Sequence, residues 1–446
     1  MDLLSIQQHP KEFILKYSIP SIIAMVLTSL VTIVDGLFIS NYVGKEALSA
    51  IQLGLPLLYV FLAIAIMIGV GGVSIAGRRL GQGDKDHAIN VFNQTYSTAF
   101  ISIVLLSLVS YLLLGPALDV FNLPRRLQYH FLTYYKIILF VYPLMMMNIV
   151  GGMFIRAEGK PQLFMFITLI MNITNIALDY YLIGQLKLGV SGAAIASTIS
   201  IVIGYVVMLI FFTKLAKIFR LKRFTFSMTD FKQTLYNGSS EFIGQLSFSI
   251  TIFLFNSVVL TQIGLSGLAA MTLVGYAGYL FNMIVIGFGQ GISPIISYSY
   301  GAQNMSLCFV IRDQTLKLLT SVAFIVYLLL AIFSPTYTHL FTRDITVSAY
   351  MVTGLRLYSL SFLLIGYNVI SSFFFTATGY PKESAIISAM RGLILLSFLI
   401  FLLPSIWGIL GVWLVAPITE LLTALVSLYL FNDAFDSLHK PLNNLY

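Results

Sequence analysis

A chain of 446 residues that is 58% hydrophobic and only 9% charged is not a soluble protein, which would carry about 25% charged residues. Its mean hydropathy of +0.93 reads as an all-α polytopic membrane protein. The single cysteine, Cys308, excludes disulfides and cysteine-based metal sites, and a net charge of +8 without a long soluble basic segment excludes nucleic-acid binding.

The first apolar segment, 13–39, follows the polar start directly and is too long for the core of a signal peptide, so it is expected to remain as a span. It contains Asp35, with no basic residue between Lys16 and Lys45. A charge at that depth costs about 2.5–3.5 kcal/mol on insertion scales, so such residues usually face a protein interior and mark an ion or substrate path. The plain alternative is a helix-end acid reaching headgroup water. Pro20 lies about 22 Å before Asp35 along a straight helix. It removes a backbone hydrogen bond and bends the helix, either as a static kink or as a hinge that answers to protonation of Asp35.

Apolar segments follow at 47–75, 91–114, 132–155, 161–184 and 189–215, and then at 232–259, 267–296, 312–334, 350–377, 381–403 and 408–432. Each is long enough to cross a bilayer, which predicts twelve transmembrane helices. The connections on the N-terminal side hold Lys11, Arg78, Arg79, Lys85, Arg156, Lys160, Lys214, Lys217, Arg220, Lys222, Arg223, Lys232, Arg312, Lys382 and Lys440. The opposite connections hold only Lys45, Arg125, Arg126, Lys187 and Arg343. That asymmetry places both termini in the cytoplasm.

The longest polar connection falls mid-chain and separates two similar halves. A shift of 220 residues pairs Gly44 with Gly264, Gly69 with Gly289, Gly71 with Gly291, Gly81 with Gly301 and Asn148 with Asn368, as well as Gly159 with Gly379 and Pro161 with Pro381. After one deletion Gly192 pairs with Gly411. The expected domains are an N-lobe (1–213), a cytoplasmic linker (214–231) and a C-lobe (232–446). Six helices per half is an even number, so the two six-helix lobes are parallel repeats related by a pseudo-twofold axis along the membrane normal, as in alternating-access transporters.

Four acids fall inside apolar segments: Asp35, Asp179, Glu241 and Glu420. Asn172, Asn175 and Asp179 share one helix face at i, i+3 and i+7. They either tie helices together by hydrogen bonds or, with Asp35 at similar depth, supply oxygens to a hard cation or a shared proton. Glu241 and Glu420 lie near the midplane of the second half and are expected to line the substrate cleft; Glu241 either faces a cationic substrate or bonds locally beside Ser239 and Ser240. The repeat partner of Asp35 is Phe255, so the halves are chemically unequal. Tyr134, Tyr135, Tyr142, Phe154, Tyr276, Tyr279 and Phe281, together with Gln290, are in segments expected to line a substrate cleft. Rings and adaptable methionines there suit flat lipophilic cations. The glycine runs at 69–72 and 287–291 lie inside apolar helices and lack the Lys-Ser/Thr of a phosphate cradle. The energy source is therefore expected to be an ion gradient.

Several stretches resemble the multidrug and toxic compound extrusion (MATE) family: Asp35-Gly-Leu-Phe-Ile-Ser with Gly44 and Ala47-Leu-Ser-Ala50, Arg156-Ala-Glu-Gly-Lys-Pro161, Asn172-Ile-Thr-Asn-Ile-Ala-Leu-Asp179, Gly189-Val-Ser-Gly-Ala-Ala-Ile-Ala-Ser197 and Gln290-Gly-Ile-Ser-Pro-Ile-Ile-Ser-Tyr-Ser-Tyr-Gly-Ala302. The resemblance, of prokaryotic type, covers nearly the whole chain. It implies two lobes around a central cleft that export amphipathic, often cationic compounds in exchange for H⁺ or Na⁺. Asp35, Asn175, Asp179, Ser197 and Thr198 match the first-lobe cation or proton site. Some members pair a helix-seven Glu with a helix-ten Asp, but 359–378 contains no acid here.

The resulting expectation is a non-enzymatic secondary antiporter, a monomer in the bacterial inner membrane, without cofactor beyond its coupling ion and without nucleotide. H⁺ is favoured and Na⁺ at Asp35/Asp179 is the alternative ion, because the second-lobe acids lack an evident partner. A flippase for a lipid-linked precursor is the rival. It would need a strongly cationic cleft, whereas the mid-membrane ionisable residues read from the sequence are acidic.

Overall fold

The computed structural model describes residues 3–121 and 124–438. Lys440, which entered the charge reading, lies outside the described residues. Among the described residues, twelve helices are long and apolar enough to cross a membrane: Pro10–Tyr42, Lys45–Gly81, Lys85–Pro116, Arg125–Ala157, Pro161–Gln185, Gly189–Leu215, Met228–Thr261, Leu265–Gly301, Met305–Phe341, Ile345–Thr378, Pro381–Trp407 and Ile409–Asp433. They follow the twelve apolar segments in order, and most run past the apolar stretch. A span must satisfy every backbone group internally, so helices continue until a cap takes over. Asn304 caps the ninth span by accepting from the Leu307 N–H at 3.1 Å. Asp344 caps the tenth by accepting from the Thr346 and Val347 N–H groups at 2.8 and 3.1 Å.

The repeated glycines have a backbone cause. Gly44 and Gly264 turn the chain between the first two spans of each half at φ 121° and 86°. Gly159 and Gly379 do so before the fifth and eleventh spans at φ 91° and 87°, each followed by a proline in the first helical turn. A side chain at such a φ clashes with its own backbone, so glycine recurs at both copies.

The chain forms two compact units, Ile23–Gly238 in one and Asp2–Ile22 with Ser239–Tyr446 in the other. The changeovers fall inside the first and seventh spans. Each unit contains the same close crossing. In the first, a Cβ at Gly71 would run into the Thr234 carbonyl and one at Gly238 into the Met67 carbonyl. In the second, a Cβ at Gly291 would come within 2.7 Å of Ser18 Cα. Gly71/Gly291 and Gly238/Ser18 are both pairs at the 220 offset, and small residues let the helix backbones approach. A second shared device is a buried amide. Asn148 Nδ2 donates to the Ile201 carbonyl at 3.1 Å, and Asn368 Nδ2 donates to the Glu420 carbonyl at 2.9 Å.

The polar connection 214–231 belongs to the first unit, and its backbone is pinned there by side chains. Glu158 accepts from the N–H groups of Lys217, Ile218 and Phe219 at 2.7–2.9 Å. The Asn93 side chain donates to the Arg220 carbonyl and accepts from the Lys222 N–H; Asn90 makes the same pair of bonds with Thr225, and Gln94 with Ser227. His87 Nε2 lies 3.1 Å from Asp230 at the start of the seventh span. The core of this unit holds Phe92, Phe154, Phe212 and Phe219 in one aromatic cluster. The second unit closes around Trp413, fully buried against Gly354, and a stacked Phe281–Phe362 pair at 4.3 Å.

Candidate functional site

In the first unit, the first and fifth spans bring Asp35 and Asp179 close enough to interact electrostatically. Asp179 is 1% exposed. No donor among the described residues reaches Oδ1 of Asp35 or either carboxylate oxygen of Asp179, and Oδ1 of Asn175 is likewise buried without a donor. Asn172 adds an unpartnered amide nitrogen. Neither acid has a Lys, Arg or His within 4 Å among the described residues. Tyr134 of the fourth span stands close enough to feel both carboxylates. Two enclosed carboxylates without a basic partner need a proton between them or a cation among their oxygens. Several oxygens left without donors form the donor set a hard cation takes.

The fifth span loosens into a π-helical turn, Tyr180–Gln185, immediately after Asp179. Such turns recur at functional positions because they widen the helix and shift side-chain facing. Thr198 spends its hydroxyl on the Ala194 carbonyl of its own helix at 2.7 Å, and Ser197 supplies its carbonyl to Ser200 at 2.9 Å. Pro20 is buried inside the continuous first helix, two residues before its contacts pass from one unit to the other.

The second unit corrects two expectations. Glu420 has a partner: its Oε1 accepts from Arg391 Nε at 2.6 Å and its Oε2 from Asn368 Nδ2 at 2.7 Å. Arg391 lies in the middle of the eleventh span, so the ionisable residues at that depth are not all acidic. The two charges neutralise each other, which removes Glu420 as a free counter-charge for a cation. Glu241 is partly buried beside Ser240, whose hydroxyl joins Thr376, Ser384 and Ser372 in a chain of hydroxyls at 2.7–3.2 Å. Ser372 and Thr376 belong to the helix-ten stretch that lacks an acid, while Ser240 lies on the seventh span and Ser384 on the eleventh.

The aromatics divide. Phe154 is fully buried among Phe92 and Phe219, at 4.8 and 5.2 Å, and packs the core rather than lining a cleft. Its edge-on neighbours take all the surface that a substrate would need. Tyr135 turns inward to donate to the Ile51 carbonyl at 2.8 Å, and Tyr142 packs edge-on to Phe61 at 4.9 Å. Tyr276 is exposed and Tyr279 half-buried, while Gln290 keeps a buried Oε1 without a donor.

The MatE family model matches residues 20–181 and 242–422, once in each half of the chain. The chain belongs to the MatE family. A curated relative, multidrug export protein MepA of Staphylococcus haemolyticus (strain JCSC1435), is 26% identical over 445 residues, covering 93% of this chain and 91% of its own length. A solved structure described as the outward-facing conformation of a multidrug resistance MATE family transporter of the MOP superfamily aligns with a TM-score of 0.90 at 25% identity over 97% of each chain. A MATE in complex with MaL6 aligns with a TM-score of 0.92 at 24% identity, over 97% of this chain and 98% of its own.

Within this MatE protein, sequence reasoning missed three features of the sites. Arg391 was legible as a lone base in an apolar segment, one span before the lone acid Glu420. Tyr134 was read as a cleft aromatic, with nothing in its spacing to link it to Asp35 or Asp179. The π-helical turns left no periodicity signal that the apolar runs could carry.

Proposed function

We propose that this MatE protein is a secondary active exporter of amphipathic, mainly cationic organic compounds, driven by uptake of H⁺ at Asp35 and Asp179, with Na⁺ as the alternative ion. The observation that carries the reading is the enclosed pair of carboxylates with no basic partner. A proton or cation that satisfies the pair changes the hydrogen bonding of the first span, and release of that ion on the other side returns it. Exchange of one H⁺ for one monovalent cation moves no net charge and runs on the ion's concentration gradient, and each further inward charge adds about 2.3 kcal/mol per 100 mV of membrane potential. Asn175 and Asn172 supply amide groups beside the pair, and Pro20 is the point where the first helix would bend. The relatives named as multidrug exporters support the substrate class. The basic connections support cytoplasmic termini in a bacterial inner membrane.

The lipid-precursor reading regains some ground from Arg391, since a base stands at mid-span after all. Its charge is balanced by Glu420, so the pair supplies no net positive field for a multiply charged phosphate. The test is dye efflux from vesicles under separate proton and sodium gradients, with wild type and Asp35→Asn. Efflux is expected under the proton gradient and absent in the variant. Undiminished efflux by Asp35→Asn removes the coupling role, and efflux under sodium alone overturns the choice of H⁺.

A further inference from the structure

The Arg391–Glu420 pair is asymmetric, and the asymmetry points outward from the acid to the base. The side chain of Glu420 is 7% exposed and that of Arg391 28%. Both carboxylate oxygens of Glu420 are occupied, and the Asn368 amide that holds it is itself held by Ser427 Oγ, which donates to Asn368 Oδ1 at 3.2 Å. A guanidinium carries five N–H donors in a rigid fork. Arg391 uses Nε on Glu420 and reaches Asn282 Oδ1 from Nη2 only at 3.5 Å, and among the described residues no acceptor meets Nη1. The backbone beneath is fixed as well. Arg391 sits on the π-helical turn Met390–Ile394, whose Gly392 carbonyl accepts from Thr251 Oγ1 at 3.1 Å. The base is thus pinned along one edge, and its partly exposed other edge is left without an acceptor among the described residues.

A base in the middle of an apolar span is costly to insert, and intramembrane charges that persist are usually functional. We propose that Arg391 is a substrate-binding residue that recognises a carboxylate, or an equally strong acceptor, on an organic substrate through its free N–H edge, with Glu420 and Asn368 as positioning residues. The inference rests on the transport reading above and deepens it by naming the residue that reads an acid group on a substrate. Glu420 keeps the site neutral when no acidic substrate is present and holds the fork in one orientation. Planar forks bind carboxylates in a two-point contact that an ammonium cannot reproduce.

The experiment compares the free acid and the methyl ester of one rhodamine, measured as kcat/KM in proteoliposomes. Wild type is expected to carry both. Arg391→Lys keeps a charge opposite Glu420 but loses the planar fork, and its acid-to-ester ratio should fall about tenfold. The double variant Arg391→Gln/Glu420→Gln leaves no buried charge unpaired and should show the same fall. An unchanged ratio in both variants, or a wild type that carries the ester alone, overturns the proposal. Where a variant turns over neither dye, anisotropy of each dye bound to the purified variant gives the same ratio without turnover. A wild type that moves neither dye overturns the transport reading instead.

Discussion

Replacing Asp179 by Asn should stabilise the fold and abolish coupled transport at once. In the wild type, Oδ1 of Asp35 and both oxygens of Asp179 are buried without a donor. A buried polar atom left without a partner costs about 1–3 kcal/mol. The isosteric amide removes one charge of the pair and places an N–H where it can donate to the Asp35 carboxylate, as a shared proton would. Relief of one such atom, and of the repulsion between like charges, gives a gain of about 1–3 kcal/mol, or about 1–3 °C in melting temperature for a chain of this size. Cys308 is the only cysteine and is fully buried, so a thiol-reactive dye reports unfolding directly. The gap between variant and wild type should narrow as pH falls, because a proton then supplies the wild-type pair with the donor that the amide supplies in the variant. If proton-driven dye efflux persists in the variant, Asp179 has no coupling role. If the variant melts lower than wild type at neutral pH, the carboxylates are not the strained pair inferred here.

Two further outcomes follow from the packing. Phe154→Ala should cost about 3–5 kcal/mol, since the ring is fully enclosed by its aromatic neighbours, while the KM for a cationic dye stays at its wild-type value; a raised KM with unchanged melting would return this ring to the cleft. Asn368→Ala should cost about 3 kcal/mol and Asn148→Ala about 1, because both lose a bond to a buried carbonyl but only Asn368 also serves the Glu420 carboxylate. Equal melting losses for the two would mean that the Glu420 contact contributes nothing.

The span count and the repeat were legible in the sequence because each depends on local properties. A run of about 20 apolar residues partitions into a bilayer whatever lies elsewhere in the chain. A turn at positive φ asks for glycine at each copy, which is why Gly44/Gly264 and Gly159/Gly379 stand at one offset. The intramembrane acids were legible for the same reason, as costly residues in cheap surroundings.

Partnership is another matter, because it is decided between helices far apart in the chain. Asp35 and Asp179 are brought side by side from the first and fifth spans, and their lack of a donor is visible only once every neighbour is in place. Glu420, which looked unpaired from its own segment, is met by Arg391 from the preceding span and by Asn368 from the tenth. Phe154 and Tyr276 are both aromatic residues in apolar helices, yet one is enclosed and the other exposed. Hydrophobicity sets which segments enter the membrane. Since lipid is as apolar as a leucine side chain, hydrophobicity does not set which face of a span meets protein. That choice comes from close packing and from the pairing of the few polar groups, and only the tertiary structure makes it.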